Sequence, residues 1–211
     1  GFVIVALEGR GTPYRNKAFQ DYSYGHITSA SAFEDRIEGI HQLASRYPYM
    51  DTSRVGIAAD DGSPAPVHGL LEHPDFYKVG VSICYEDPRF GFATLYEQYQ
   101  GLCTDNDGAE QPARAEDLAQ ALKDKLLLIH GMLDSFTPVT GTLRLLDALQ
   151  EANKDFDMLL LPDEGHDIPS YALRRSWDYL VTHLQDIEPP YEFALSTGLD
   201  FLLDNMAKDP A

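Results

Sequence analysis

The sequence predicts a mostly parallel sheet of about five strands with helices on both faces. Three observations predict it. Short apolar runs alternate along the chain with stretches of helical periodicity. Those runs lack the polar alternation of a sheet with one wet face. The chain, 211 residues long, is also large enough to bury a substantial core as one domain.

The apolar runs are residues 2–7, 55–59, 79–85, 126–130 and 158–161. Each has the length of a strand and is bounded by turn residues or charges. Between them, Phe33, Ile37, Ile40, Leu43 and Ala44 recur at helical spacing. So do Leu143, Leu146, Leu149 and Ala152, and then Tyr171, Leu173, Trp177, Leu180 and Leu184. Residues 103–114 are rich in Gly, Asp, Asn and Pro and read as a loop. Glu188-Pro189-Pro190 ends the globular pattern. The expected organisation is a domain over 1–193 and a tail over 194–211 that carries a short amphipathic helix.

Charge narrows the function classes. Lysine and arginine number 16 against 34 aspartates and glutamates, for a net charge of −18. Such a surface repels phosphate backbones and anionic lipid, so neither nucleic acid nor a membrane surface is expected as a partner. No apolar run approaches the roughly 18 residues of a membrane span. The two cysteines, Cys84 and Cys103, are too few for a disulfide framework or a four-cysteine metal site. They suit either one bridge or two free thiols.

In a parallel sheet, ligands bind beyond the carboxyl ends of the strands. The segments that follow the runs are Glu8-Gly9-Arg10-Gly11, Asp60-Asp61-Gly62-Ser63, His130 to Asp134, and Asp163-Glu164-Gly165-His166. A turn after a strand, then an Asp, then a His, is the chain order of the α/β-hydrolases. Asp134 and His166 fill the second and third places, and the turn after residues 55–59 should hold a nucleophile.

Several segments then carry a specific resemblance. They are Gly9-Arg10-Gly11-Thr12-Pro13, Glu34-Asp35-Arg36-Ile37, Arg54-Val55-Gly56-Ile57, His73 to Lys78, Tyr99-Gln100-Gly101-Leu102, Leu127 to Gly131, and Arg174 to Tyr179. Taken together, from Phe2 to about Phe193, the chain resembles the catalytic domain of the prolyl oligopeptidase family, on its dipeptidyl-peptidase-IV-like side. The resemblance implies an α/β-hydrolase fold and serine-peptidase ancestry, with cleavage often after proline or alanine and a β-propeller before the hydrolase domain. Against that pattern the chain lacks the propeller, the first hydrolase strands and the loop with an oxyanion-binding Tyr, so the expectation is an N-terminally truncated form of the domain. The edge left open would need covering by a second copy, a partner chain or the preceding segment.

The resemblance assigns Asp134 to the family's catalytic Asp and His166 to its catalytic His. It places Arg10 in a loop near the site. The nucleophile turn departs from the pattern. The family has G-x-S-x-G-G-Y, whereas this chain has Ala59-Asp60-Asp61-Gly62-Ser63-Pro64-Ala65, one residue shorter. Alignment from the left puts Asp61 at the nucleophile, and alignment from the right puts Asp60 there. Ser63 is the remaining candidate, but it precedes Pro64, which has no N–H to lend an oxyanion hole. An Asp nucleophile is known chemistry, and Gly62 offers an N–H after Asp61. The stretch that walls the substrate pocket, with Arg89, Phe90 and Leu95 as candidate contacts, is altered too. Gly91 and Leu95 stand where bulky aromatics are expected.

The resulting expectation is a peptidase homologue that keeps Asp134 and His166, lacks the Ser, and is inactive or weakly active. The alternatives are an active hydrolase of peptides or small esters that uses Asp61, Asp60 or Ser63, and a structural subunit that pairs through its open edge. No cofactor is expected, because Glu8-Gly9-Arg10-Gly11 is neither a dinucleotide fingerprint nor a phosphate loop. No metal is expected either, since Asp163, Glu164, His166 and Asp167 match no standard ligand spacing. His130 reads as a structural histidine bonded within its turn.

Overall fold

The computed structural model describes residues 1–24, 32–86 and 113–195. Four strands form one sheet in sequence order: β1 Val55–Ala59, β2 Tyr77–Ile83, β3 Lys125–Gly131 and β4 Asp157–Leu161. Every pairing is parallel. Six α-helices accompany them among the described residues: α1 Lys17–Gln20, α2 Phe33–Arg46, α3 Ala65–Glu72, α4 Ala115–Leu118, α5 Thr140–Glu151 and α6 Ser170–Gln185.

The unbroken apolar character of β2 and β3 follows from their burial on both faces. Along β3 the residues alternate between two cores. Leu126 and Leu128 join Phe33, Val67, Leu70, Leu145 and Leu149 on the face covered by α2, α3 and α5. Leu127 and Ile129 join Val79, Val81, Ala172, Tyr179 and Leu184 on the face covered by α6. This is the period of two of a strand, with both sets apolar. Each fully buried Leu or Val contributes on the order of 1.5–3 kcal/mol of transfer free energy.

The helices follow from local sequence. The apolar stripe of α5 buries Leu145, Leu146 and Leu149 and leaves Asp147 and Gln150 outside. The start of α3 tolerates Pro64 and Pro66, because the first turn has no intrahelical acceptor for their missing N–H groups. Among the described residues no helix is long and apolar enough to cross a membrane.

One expected strand is not formed, so the sheet has four strands among the described residues rather than about five. Residues 2–7 are unpaired, and Ile4 is 90% exposed. An apolar run gives a tendency to bury, but a strand also needs a ladder partner beside it. Leu7 lies instead against Gly39 of α2. β1 bonds only to β2, so its outer edge carries no partner among the described residues. The loop expected over 103–114 and the tail helix expected over 197–208 lie almost wholly or wholly outside the described residues.

Candidate active site

All four strands run the same way, so the loops after β1, β2, β3 and β4 gather at one end of the sheet. After β1 the chain turns sharply into α3. Ser63 N–H donates to Asp60 O at 3.2 Å, and both central residues have positive φ, Asp61 at 58° and Gly62 at 77°. Asp-Gly suits such a turn, because a short polar side chain tolerates the left-handed region and glycine enters it freely. At Gly62 an added Cβ would lie 2.8 Å from the Thr137 methyl, so the turn is also too tight for a side chain there.

The loop after β3 is built around Asp134. Its Oδ1 accepts from the Phe136 and Thr137 amides, both at 2.8 Å. Its Oδ2 accepts from Thr137 Oγ1 at 2.7 Å and from His166 Nδ1 at 2.8 Å. Two backbone bonds tie this loop to the one after β4, from Met132 N to Leu161 O and from Leu133 N to Glu164 O, both 2.9 Å. Gly131 permits that approach, since an added Cβ would run into the carbonyl oxygens of Glu164 and Gly165.

His166 bridges the loops. Nδ1 faces Asp134, and Nε2 lies 2.8 Å from Asp61 Oδ1. The Phe136 ring packs on the imidazole with centroids 4.7 Å apart. Asp134, His166 and Asp61 thus form one hydrogen-bonded line from a buried carboxylate to an exposed one.

The electrostatics follow this geometry. Burial alone would raise the Asp134 carboxyl, but hydrogen bonds from Thr137 and His166 hold it down at about 2. Burial alone would lower His166, but hydrogen bonds to Asp61 and Asp134, with their charge, raise it. Burial and the nearby Asp134 push the Cys84 thiol up to about 12, which leaves it un-ionised and unreactive.

Of the three residues considered for the nucleophile's place, the fold brings Asp61 to His166. The Asp60 side chain is exposed and its carbonyl closes the turn. The Ser63 hydroxyl lies 3.4 Å from the Ala65 amide at the start of α3. Arg10 makes a bidentate ion pair with Asp35, at 2.6 and 2.8 Å, and stacks over Tyr22. Two of its donors are therefore already committed to a carboxylate. Arg89, Phe90 and Leu95 lie outside the described residues, as does Cys103. Cys84 is a free, buried thiol.

Sequence reasoning missed Thr137, which is fully buried and bonded to Asp134. The available signal was an Asp followed three residues later by a Thr, a spacing that lets the carboxylate cap its own turn. His130 is fully buried, with Nε2 donating to Thr137 O and Nδ1 beside Thr142 Oγ1, both at 2.8 Å. Cys84, His130 and Asp134 form the one candidate metal-ligand cluster among the described residues. Ligation would have to displace the hydrogen bonds that already engage His130 and Asp134.

The chain as a whole is similar to known proteins. The sequence model described as the prolyl oligopeptidase family matches residues 1–186. Human dipeptidyl peptidase 8 is 30% identical over 176 residues, covering 80% of this chain and 19% of that protein. Mouse prolyl endopeptidase FAP is 25% identical over 189 residues, covering 87% of this chain and 24% of that protein. The chain therefore spans about a fifth to a quarter of the length of these relatives. The crystal structure of Porphyromonas gingivalis dipeptidyl peptidase 4 superposes with a TM-score of 0.74 at 24% identity, over 84% of this chain and 26% of that one, and shows a shared fold.

Proposed function

The chain belongs to the prolyl oligopeptidase family, and on that premise we propose that it is a serine-peptidase homologue in which Asp61 occupies the nucleophile's place and no acyl-enzyme forms. The observation that carries the reading is the 2.8 Å contact between His166 Nε2 and Asp61 Oδ1. In a serine triad, Nε2 is a neutral acceptor that takes the hydroxyl proton. A carboxylate has no proton to give. It makes Nε2 a donor, and Asp134 makes Nδ1 a donor as well, so the line favours an imidazolium with no lone pair left for base catalysis. The neighbouring hydroxyl supports the same reading. Ser63 is followed by Pro64, which supplies no N–H to a developing oxyanion.

The test is covalent trapping, in which the protein is incubated with a fluorophosphonate and, separately, with a haloalkane, and any adduct is located by mass spectrometry. No adduct within residues 59–64 is expected. A phosphonylated Ser63 or an alkyl ester on Asp61 or Asp60 would replace this reading with an active hydrolase of peptides, small esters or alkyl electrophiles.

A second reading, a subunit that pairs through β1, is supported by the bare outer edge of that strand among the described residues and by the exposed Phe2, Val3 and Ile4. Sedimentation at several concentrations separates the two. A monomer at all of them argues against self-pairing.

A further inference from the structure

Thr137 touches Asp134, His166 and the turn that carries Asp61. Its amide donates to Asp134 Oδ1 at 2.8 Å. Its hydroxyl donates to Asp134 Oδ2 at 2.7 Å and lies 3.2 Å from His166 Nδ1. Its carbonyl accepts from the buried His130 at 2.8 Å, and its methyl lies against Gly62 in the turn that carries Asp61.

From this juxtaposition we infer that Thr137 is the positioning residue of the line. Its hydroxyl fixes Asp134 and shares Oδ2 with His166, and its methyl holds the Asp61 turn. The inference rests on the grouping of Asp134, His166 and Asp61 described above, and not on whether the group turns over a substrate.

The anchoring runs backward into the core. His130 Nε2–H holds the Thr137 carbonyl, while His130 Nδ1 faces Thr142 Oγ1 on α5. Thr142 Oγ1 in turn lies 3.2 Å from Tyr85 O, just beyond β2. Thr137 is therefore fixed to β3 through His130 and, through His130 and Thr142, to α5 and the loop after β2. A residue held from behind in this way transmits a defined geometry to the groups in front.

The hydroxyl acts on His166 in two opposed ways. As a donor to Oδ2, it draws charge from the oxygen that binds Nδ1–H and so weakens the partner of the imidazolium. As an oxygen facing Nδ1, it supports the imidazolium directly. The donor contact is the shorter, 2.7 Å against 3.2 Å, so removing the hydroxyl should leave Asp134 the stronger partner. The other titratable groups around His166 are Asp61 from the β1–α3 turn, Cys84 from the end of β2, whose thiol lies 3.6 Å from His166 O, and His130 behind Asp134. Of these, Cys84 also meets the Thr137 hydroxyl, but its thiol is un-ionised, so losing that contact adds no charge beside His166.

The experiment is an NMR titration of the His166 ring nitrogens in the full chain and in Thr137→Val and Thr137→Ser. Valine keeps the shape and the methyl but removes the hydroxyl. The His166 midpoint should rise by roughly one pH unit, the size of one altered charge-assisted hydrogen bond. Serine keeps the hydroxyl and should keep the parent midpoint, while loss of the methyl speeds amide exchange at Ser63, whose N–H closes the turn. Should the valine variant lose its dispersed amide spectrum, Thr137→Ala against Thr137→Ser makes the same comparison. A midpoint that stays or falls without the hydroxyl, or that moves equally in the serine variant, overturns the inference. The covalent trapping above reads a different property, so each idea can fail alone.

Discussion

Replacing Asp134 by Asn removes the charge at the buried end of the line and leaves the shape almost unchanged. The carboxylate accepts from four donors: two amides, the Thr137 hydroxyl and His166 Nδ1. An amide side chain offers one oxygen, so with that oxygen toward the two amides its NH2 group faces the Thr137 hydroxyl, which can turn to accept, and His166 Nδ1–H, which cannot accept without losing its proton. The side chain is fully buried, and water cannot easily take the place of the lost acceptor. The shift of the carboxyl from 3.8 to about 2 corresponds to about 2 kcal/mol of native-state preference for the charged form. Donor–donor conflict adds on the order of 1 kcal/mol, for a loss of about 3 kcal/mol at pH 7. Urea unfolding followed by far-UV circular dichroism measures it. The sign with pH is fixed, because the folded pKa is depressed. Its contribution is complete well above 3.8 and fades as pH falls toward 2, so the gap between parent and variant should narrow by about 1 kcal/mol at pH 3. A gap at pH 7 below about 1 kcal/mol, or one that ignores pH, would refute the reasoning.

Other substitutions probe the remaining parts. Gly131→Ala drives a Cβ into the carbonyls of Glu164 and Gly165 and parts the loops of Asp134 and His166. It should cost more than about 2 kcal/mol in urea unfolding. Asp61→Asn removes the exposed partner of His166 and should lower its NMR midpoint. Because that pKa is raised in the fold, its stabilising effect is complete below 6.5 and is lost as pH rises through the raised value, so the variant's stability should change less across that window. Leu128→Ala removes a fully buried side chain of β3 and should cost about 2–5 kcal/mol by the same assay.

Much of this architecture is legible in the chain. The run at residues 55–59 is β1 as observed, and the apolar spacing from Phe33 and from Tyr171 marks α2 and α6. These elements are set by short-range pattern, and burial on both faces makes the pattern strong. Residues 2–7 show where pattern stops, since it contains no information about a partner strand. Chain order alone picks out Asp134 and His166, and the fold brings the two side chains within 2.8 Å. The choice among Asp60, Asp61 and Ser63 was not legible, because a one-residue change of register decides it. Only the turn geometry, with positive φ at Asp61 and Gly62, puts one carboxylate against His166. Thr137 was hidden for a related reason. Its role depends on how a short loop folds back on Asp134, and loop conformation is weakly encoded by residue type.

Hydrolysis of a panel of dipeptidyl anilides and short-chain aryl esters, beside a His166→Ala variant prepared identically, tests the central claim most directly. The account predicts no turnover above that variant, because the line from Asp134 through His166 ends on a carboxylate with no proton to give. Turnover that vanishes when His166 is replaced would contradict it and would show that the imidazole still serves as a base.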